Sequence, residues 1–252
     1  MHQDIHIKVD LHTHSISSGH HTTDTITDLA RTAADRNLAV LGVCDHGPTM
    51  ANAPSSTYFR GLTNAPKTRF GIQVLYGVEA NILNEQGTLD LPEDILSGLD
   101  YVAAGMHAPL YRGAPTKNAI TNAYLHAMEN PYVRILVHPD DPKFPVDYRA
   151  LVEGANMRHV LLEINEASLA PNSYRGDSRA AATEILRWCA YYHHPIILGS
   201  DSHGRQGVGL FENSKILLQE CDFPQELVLN QWSERIDAFL SRQSGIKFST
   251  KA

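Results

Sequence analysis

Seven short apolar runs, rich in Val, Ile and Leu, recur along the chain, and helix-patterned sequence follows them. The runs are IHIKVDLH (5–12), AVLGVCDH (39–46), QVLYGVEANI (73–82), YVAAGMH (101–107), RILVHP (134–139), HVLLEIN (159–165) and PIILGSDSH (195–203). They lack the polar–apolar alternation of a half-exposed strand, so they suit strands covered on both faces, as in parallel sheets packed between helices. Helical patterns are expected over 25–37, 116–129, 147–156, 178–192, 213–220 and 233–241. Thr25 is a candidate N-cap, with Asp28 three residues on completing a variant capping box. Strand–helix alternation makes the class α/β. Seven units point to a distorted (β/α)7 barrel, a single domain over 1–252. The alternative is an open doubly wound sheet, which for a nucleotide binder would place a Gly-rich turn after its first strand. His-Thr-His stands there instead.

Two segments leave the pattern. NEQGTLDL (84–91) centres on a Gly turn and reads as a small hairpin. Residues 47–70 carry three prolines and read as a long connection on the rim of a site.

The chain has 14 histidines, and their placement carries the chemistry. Run one ends in His12-Thr13-His14, run two in Asp45-His46, run four in His107, run five in His138 and run seven in Asp201-Ser202-His203. Glu79 lies near the end of run three, and Glu163 and Asn165 lie on run six. In a parallel barrel these ends converge on one face, where such enzymes build their sites. Seven histidines fall elsewhere: His2, His6, His21, His126, His159, His193 and His194. A single strand-end histidine is more often structural than a ligand. A whole set of imidazoles and carboxylates converging without a cation would leave many buried polar groups unpaired. Residues i and i+2 of a strand face one side, so His12 with His14, and Asp201 with His203, are spaced to share a metal. Imidazole and carboxylate donors without thiolate suit zinc, manganese or iron at an open site. Nine such donors fit two or three ions.

Composition narrows the field. With 21 Lys plus Arg against 28 Asp plus Glu, the formal charge is −7, which disfavours long nucleic acid as a partner. No run approaches 18 apolar residues and the start has no apolar leader, so neither a membrane partner nor a secretory signal is expected, and the expected location is cytoplasmic. Cys44, Cys189 and Cys221 form no metal or disulfide spacing, and Cys44 is expected to be a buried small hydrophobe.

The ordered motifs VDLHTHSISSGH, CDHGPTMANAP, GVEANILN, AAGMHAP, VHPDDPKF, LEINEASL and LGSDSH resemble the polymerase-and-histidinol-phosphatase (PHP) superfamily. The similarity is strongest to the small bacterial YcdX-type phosphatases, and it runs from about residue 9 to residue 203. The resemblance implies a distorted (β/α)7 barrel with three divalent ions, most often zinc, with manganese or iron as alternatives. It implies a first metal on His12, His14, Glu79 and Asp201. Glu79 then bridges to a second held by His107 and His138, and His20, His46 and His203 take the third. Spacing after His-Thr-His favours His20, with His21 as the alternative. A hydroxide formed on such ions would attack the phosphorus of a small phosphorylated substrate in a cleft of about +3 charge. Glu79, Asp201 and Arg175 are the expected catalytic residues. Arg175 is placed in a rim loop where it would grip phosphate, and Lys143 is a second candidate. Asp45, Glu163 and Asn165 would orient ligands.

Phosphate monoester hydrolysis is the leading expectation. A phosphodiesterase or nucleoside bisphosphate phosphatase is the alternative, with histidinol phosphate phosphatase behind it. A non-catalytic metal module is disfavoured because all nine ligand positions are filled. A metal-dependent amide or ester hydrolase would usually carry a strand-end lysine, and none is seen. A homo-oligomer is compatible with the sequence.

Overall fold

The computed structural model describes residues 5–240. His2, the last residue of the expected 233–241 helix and the outermost parts of the expected 1–252 domain lie outside the described residues. In chain order the elements are β1 (Val9–Asp10), β2 (Thr13–His14), α1 (Ile26–Asp35), β3 (Val40–Val43), α2 (Ser56–Leu62), β4 (Thr68–Arg69), β5 (Ile72–Asn81), α3 (Glu93–Leu96) and β6 (Tyr101–Gly105). There follow α4 (Lys117–Ala127), β7 (Val133–Leu136), α5 (Tyr148–Arg158), β8 (Leu161–Asn165), α6 (Glu166–Leu169), α7 (Arg179–Tyr192), β9 (Ile196–Gly199), β10 (Ser202–His203), α8 (Glu212–Glu220) and α9 (Ser233–Leu240).

The seven apolar runs become β1, β3, β5, β6, β7, β8 and β9, hydrogen-bonded side by side in that order and all parallel. They form a nearly closed, barrel-shaped sheet in a single domain, as the α/β pattern required. Alternate residues of each strand serve two cores. Val9, Val40, Leu75, Ala103, Ile135, Leu161 and Ile197, one from each strand, form an inner cluster with Ile236, Phe239 and Leu240 of α9. Their neighbours, such as Leu41, Val74, Val102 and Leu162, belong to the larger cluster shared with the helices. This double burial is why the runs are apolar throughout.

Local signals behaved as expected at α1, where Thr25 and Asp28 form a reciprocal capping box. Thr116 and Asp147 cap α4 and α5 more simply, each side chain accepting one backbone N–H, from Ala119 and Ala150. Residues 84–91 form the anticipated excursion, closed by an antiparallel bridge between Ile82 and Leu89, with Gly87 at φ +69°. Residues 47–70 are more ordered than a long connection: they contain α2 and the short β4, which pairs antiparallel with β5. Phe59 and Leu62 of α2 are buried, so packing rather than local pattern fixes that helix.

Candidate metal centre

The ligand-type residues lie at the C-terminal ends of the sheet strands or just beyond them. β2 and β10 pair in register there, setting His14 beside His203. His46 follows β3 and forms a parallel bridge with Glu79 of β5. His107 and His138 lie two residues past β6 and β7, and Asp201 two past β9. His138 and Asp201 have left-handed backbones, with φ of +35° and +52°. Such conformations are disfavoured for residues with a Cβ and persist only where surroundings hold them. Close approach also fixes glycines. A Cβ at Gly199 would run into Glu163 Oε1 and His12 Cβ, and one at Gly105 would meet the His138 ring.

Glu79 is the hub. Its Oε2 lies 2.5 Å from His46 Nδ1, 3.5 Å from His14 Nε2 and 3.7 Å from His12 Nε2. Its Oε1 lies 2.6 Å from His138 Nε2 and 3.2 Å from His107 Nε2. Asp201 Oδ1 is 3.2 Å from His14 Nε2 and 3.5 Å from His12 Nε2. His20 Nε2 is 3.2 Å from His203 Nε2, and its ring stacks on His46 at 4.8 Å. His21 is exposed, with φ +63° and its ring edge-on to His20. His20 therefore lies against both His46 and His203, while His21 sets its ring edge-on to His203 at 5.7 Å.

Seven atoms of this set are buried without a hydrogen-bond partner: His138 Nδ1, and six that face one another, His12 Nε2, His14 Nε2, His46 Nδ1, His107 Nε2, Glu79 Oε2 and Asp201 Oδ1. Orphaned buried polar atoms are rare and costly. The mutual facing of these six fits cations between them. Among the described residues three sets have donor atoms within 4.8 Å of one another: His12, His14 and Asp201; His46, Glu79 and His107; His14, His46 and His203. These sets overlap the division expected from the resemblance but share His14 and His46 between groups. The donors are imidazole and carboxylate, the combination that suits zinc, manganese or iron. Cys44 is buried, with Sγ 3.4 Å from the Leu11 carbonyl oxygen.

A further layer aims the imidazoles. His12 Nδ1–H donates to Glu163 Oε1 at 2.6 Å, and Glu163 Oε2 accepts the His138 backbone N–H at 2.8 Å. His107 Nδ1–H donates to Asn81 Oδ1 at 2.7 Å. His14 Nδ1–H donates to Ser18 Oγ at 2.9 Å, and the Ser18 hydroxyl donates to Asp45 at 2.7 Å. Each bond leaves Nε2 as the free lone pair. Asp45 thus serves His14 through Ser18 rather than its neighbour His46, and Tyr58 of α2 donates to the same carboxylate at 2.5 Å. Ser18, Asn81 and Tyr58 were not anticipated. Asn81 closes β5 but carries no ligand signal of its own, and Ser18 and Tyr58 come from a 3-10 turn and a helix in the Pro-rich connection, away from the strand ends that the apolar runs mark.

Electrostatics follow the packing. Burial works against the Glu79 charge, but His46 and His107 outweigh it and hold the carboxylate well below its ordinary range. Asp201 is likewise held low despite burial, by His12 and Arg175. Burial, aided by His203 and His46, pushes His14 well down. His20 and His138 are both pushed down to about 4, mainly by burial. Glu163 and Asp201 overcome burial to raise His12. Asp140, the first acid after His138, is pushed up to about 8 by burial, against the pull of Arg175.

Arg175 corrects the sequence expectation of a rim cation. It is 4% exposed, its Nη2 donates to Asp201 Oδ2 at 2.8 Å, and its Nη1 donates to Ser168 Oγ at 3.3 Å. Lys143 does stand at the rim, where it donates to the Tyr174 carbonyl oxygen at 3.1 Å. A cavity of about 660 Å³ opens above the cluster, lined by His20, His46, His107 and His203 at its base. Asn165 lies beneath, donating to Glu163 Oε2 at 2.9 Å.

The PHP domain family matches residues 10–205. A protein of Clostridium novyi (strain NT) named as a probable phosphatase is 37% identical over 240 residues, covering 95% of this chain and 96% of that one. A second so named, from Shewanella sediminis, is 35% identical over 235 residues, covering 93% and 94%. Among solved structures, the histidinol phosphate phosphatase of Lactococcus lactis, complexed with zinc, L-histidinol and phosphate, shares the fold. Its TM-score is 0.59 at 16% identity, over 86% of this chain and 94% of that one. The match over most of the chain and the full-length relatives establish that this protein belongs to the PHP domain family.

Proposed function

We propose that this chain is a metal-dependent phosphatase that hydrolyses phosphate monoesters at a centre of three divalent ions, most readily zinc. The observation that carries the reading is the convergence of six unpartnered buried donor atoms, three of them on residues that line one cavity, His46, His107 and Asp201. His12, His14, Glu79 and Asp201 would hold the first ion, Glu79, His107 and His138 the second, and His20, His46 and His203 the third. When bound, such ions lower the pKa of a coordinated water and offset charge on phosphoryl oxygens.

The chain's own residues supply the rest. Glu163, Ser18 and Asn81 hold the Nδ1–H groups of His12, His14 and His107, so their lone pairs stay fixed. His20 and His138, pushed down to about 4, are neutral near pH 7, the form that binds cations, whereas His12 and His46 are raised by their carboxylate neighbours and would release a proton as a cation binds. Arg175 acts by anchoring Asp201: it takes Oδ2 and leaves Oδ1 turned toward His12 and His14. A monoester dianion matches a cationic cavity floor better than a diester monoanion does.

Untagged protein should carry close to three ions by elemental analysis, and should hydrolyse p-nitrophenyl phosphate faster than bis-p-nitrophenyl phosphate. EDTA that strips the ions should abolish turnover and lower the Tm, because a ligand bound only by the folded state stabilises it. Less than one ion per chain after supplementation would sink the metal centre. A faster diester reaction would replace the monoester reading by a phosphodiesterase.

A further inference from the structure

The cavity over the metal centre has two unlike halves. Its base is imidazole and carboxylate, whereas its outer wall includes Met50, Ala108, Pro109, Ala167 and Tyr174. A phosphoryl group needs only the base. At about 660 Å³ the cavity has room for a sizeable leaving group beside it. Ala108 follows His107 directly, so the apolar wall begins one residue from the candidate ligands.

Tyr174 is the unusual member of that wall. Its side chain is among the most exposed large apolar groups, at 71%, yet it is held in place. The buried Arg175 guanidinium lies 4.6 Å from the ring centroid, and the Lys143 ammonium lies 5.3 Å from it. Lys143 also donates to the Tyr174 carbonyl oxygen at 3.1 Å and stands 3.9 Å from Asp141 Oδ2, so its charge is largely engaged. Cation–ring contacts of this kind fix a ring without removing it from solvent. The result is a pre-set aromatic surface at the mouth of a phosphate-sized base.

We infer that Tyr174 is a stacking platform, and that the substrate is a phosphate monoester whose leaving group carries a planar aromatic or heteroaromatic ring. The inference rests on the phosphatase reading and deepens it by naming the substrate class. Lys143 is a positioning residue for the platform rather than a phosphate grip. Met50 and Pro109 add apolar surface to the cavity in which a planar group laid on Tyr174 would sit. Stacking holds the leaving group alike in ground and transition states, so its signature is in KM more than in kcat.

The test compares two primary alkyl esters of equal intrinsic reactivity and similar bulk on the metal-loaded enzyme: 2-phenylethyl phosphate and 2-cyclohexylethyl phosphate. The wild type should favour the phenyl ester in kcat/KM by on the order of tenfold, carried by KM. Tyr174→Phe should keep that ratio, and Tyr174→Leu, which keeps apolar bulk without a π-face, should bring it close to one. A wild-type ratio at or below one overturns the platform and leaves the phosphatase reading standing. So does a ratio unchanged in Tyr174→Leu. Hydrolysis of neither ester, nor of p-nitrophenyl phosphate, overturns the phosphatase reading and the inference with it.

Discussion

Asp201 shows how much one side chain is asked to do. Its backbone is left-handed, its side chain is buried, and its two oxygens have separate tasks: Oδ2 accepts from Arg175 while Oδ1 faces two imidazoles. Breaking a buried ion pair from one side leaves an uncompensated charge and costs about 3–5 kcal/mol. Arg175→Met should therefore lower the Tm and reduce metal content together, as read by thermal melts and elemental analysis. Full metal content with only a raised KM would return Arg175 to phosphate binding. The ligand candidates themselves were legible because each closes a strand-end motif. The environment of Arg175 was not. NSYRGDS reads as an exposed loop, and only the fold tucks its arginine against β8 and the segment after β9. The hydroxyl of Ser18 was hidden for a similar reason: nothing local distinguishes it from Ser15 or Ser17, yet it alone meets the His14 ring.

At the scale of elements, three histidines far from the metal centre have structural work. His159 and His193 adopt left-handed backbones as the C-caps of α5 and α7. His194 then leads into β9, buried, with Nε2–H donating to the Val160 carbonyl oxygen at 2.9 Å. Burial pushes His194 down to about 4. The unfolded chain takes up this proton near pH 6.5, whereas the folded chain refuses it until about pH 4. The contribution of His194 is therefore fully present above pH 6.5 and is lost as pH falls toward 4, at up to roughly 1.4 kcal/mol per pH unit. Denaturation of the metal-free protein between pH 4 and 7 should show a shallower acid loss in His194→Gln than in the wild type. Equal slopes would mean that His194 titrates alike in both states. Regular elements were the most readable part of the chain, since double burial writes continuous apolar strands and caps mark helix starts. The exceptions, α2, α3, α6, β2, β4 and β10, are short pieces whose order comes from what they touch. No local period could announce a two-residue strand such as Thr13–His14.

Across the whole molecule the sheet path runs from β1 to β9, and buried side chains join its two ends, Asp10 and Ser200 beside the site and Asn230 at the other end of the strands. Asn230 donates to the Val9 and Leu198 carbonyl oxygens at 2.9 and 2.8 Å and accepts the Leu198 N–H at 2.7 Å. Its own carbonyl oxygen accepts from Lys8. Among the described residues no helix is long and apolar enough to cross a membrane. Truncating Asn230 to Ala would strand several buried backbone groups, each worth about 1–3 kcal/mol when unpaired. A urea titration should place Asn230→Ala roughly 3 kcal/mol or more below the wild type. A loss under about 0.5 kcal/mol would show that the side chain is dispensable to the seam. The sequence offered no sign of this residue, because an asparagine in a polar stretch looks like any other turn former. The position of that seam also has a consequence in time. His12 and His14 are made well before Asp201, His203 and then Asn230, which stands 218 residues after His12. At about 5–20 residues per second, the first histidines leave the ribosome roughly 10 to 45 s before Asn230. Through most of that interval the nascent chain offers only fragments of the coordination set. An ion held by the whole set, as proposed, would load only after His203 has emerged, from whichever ions the surroundings hold at that moment.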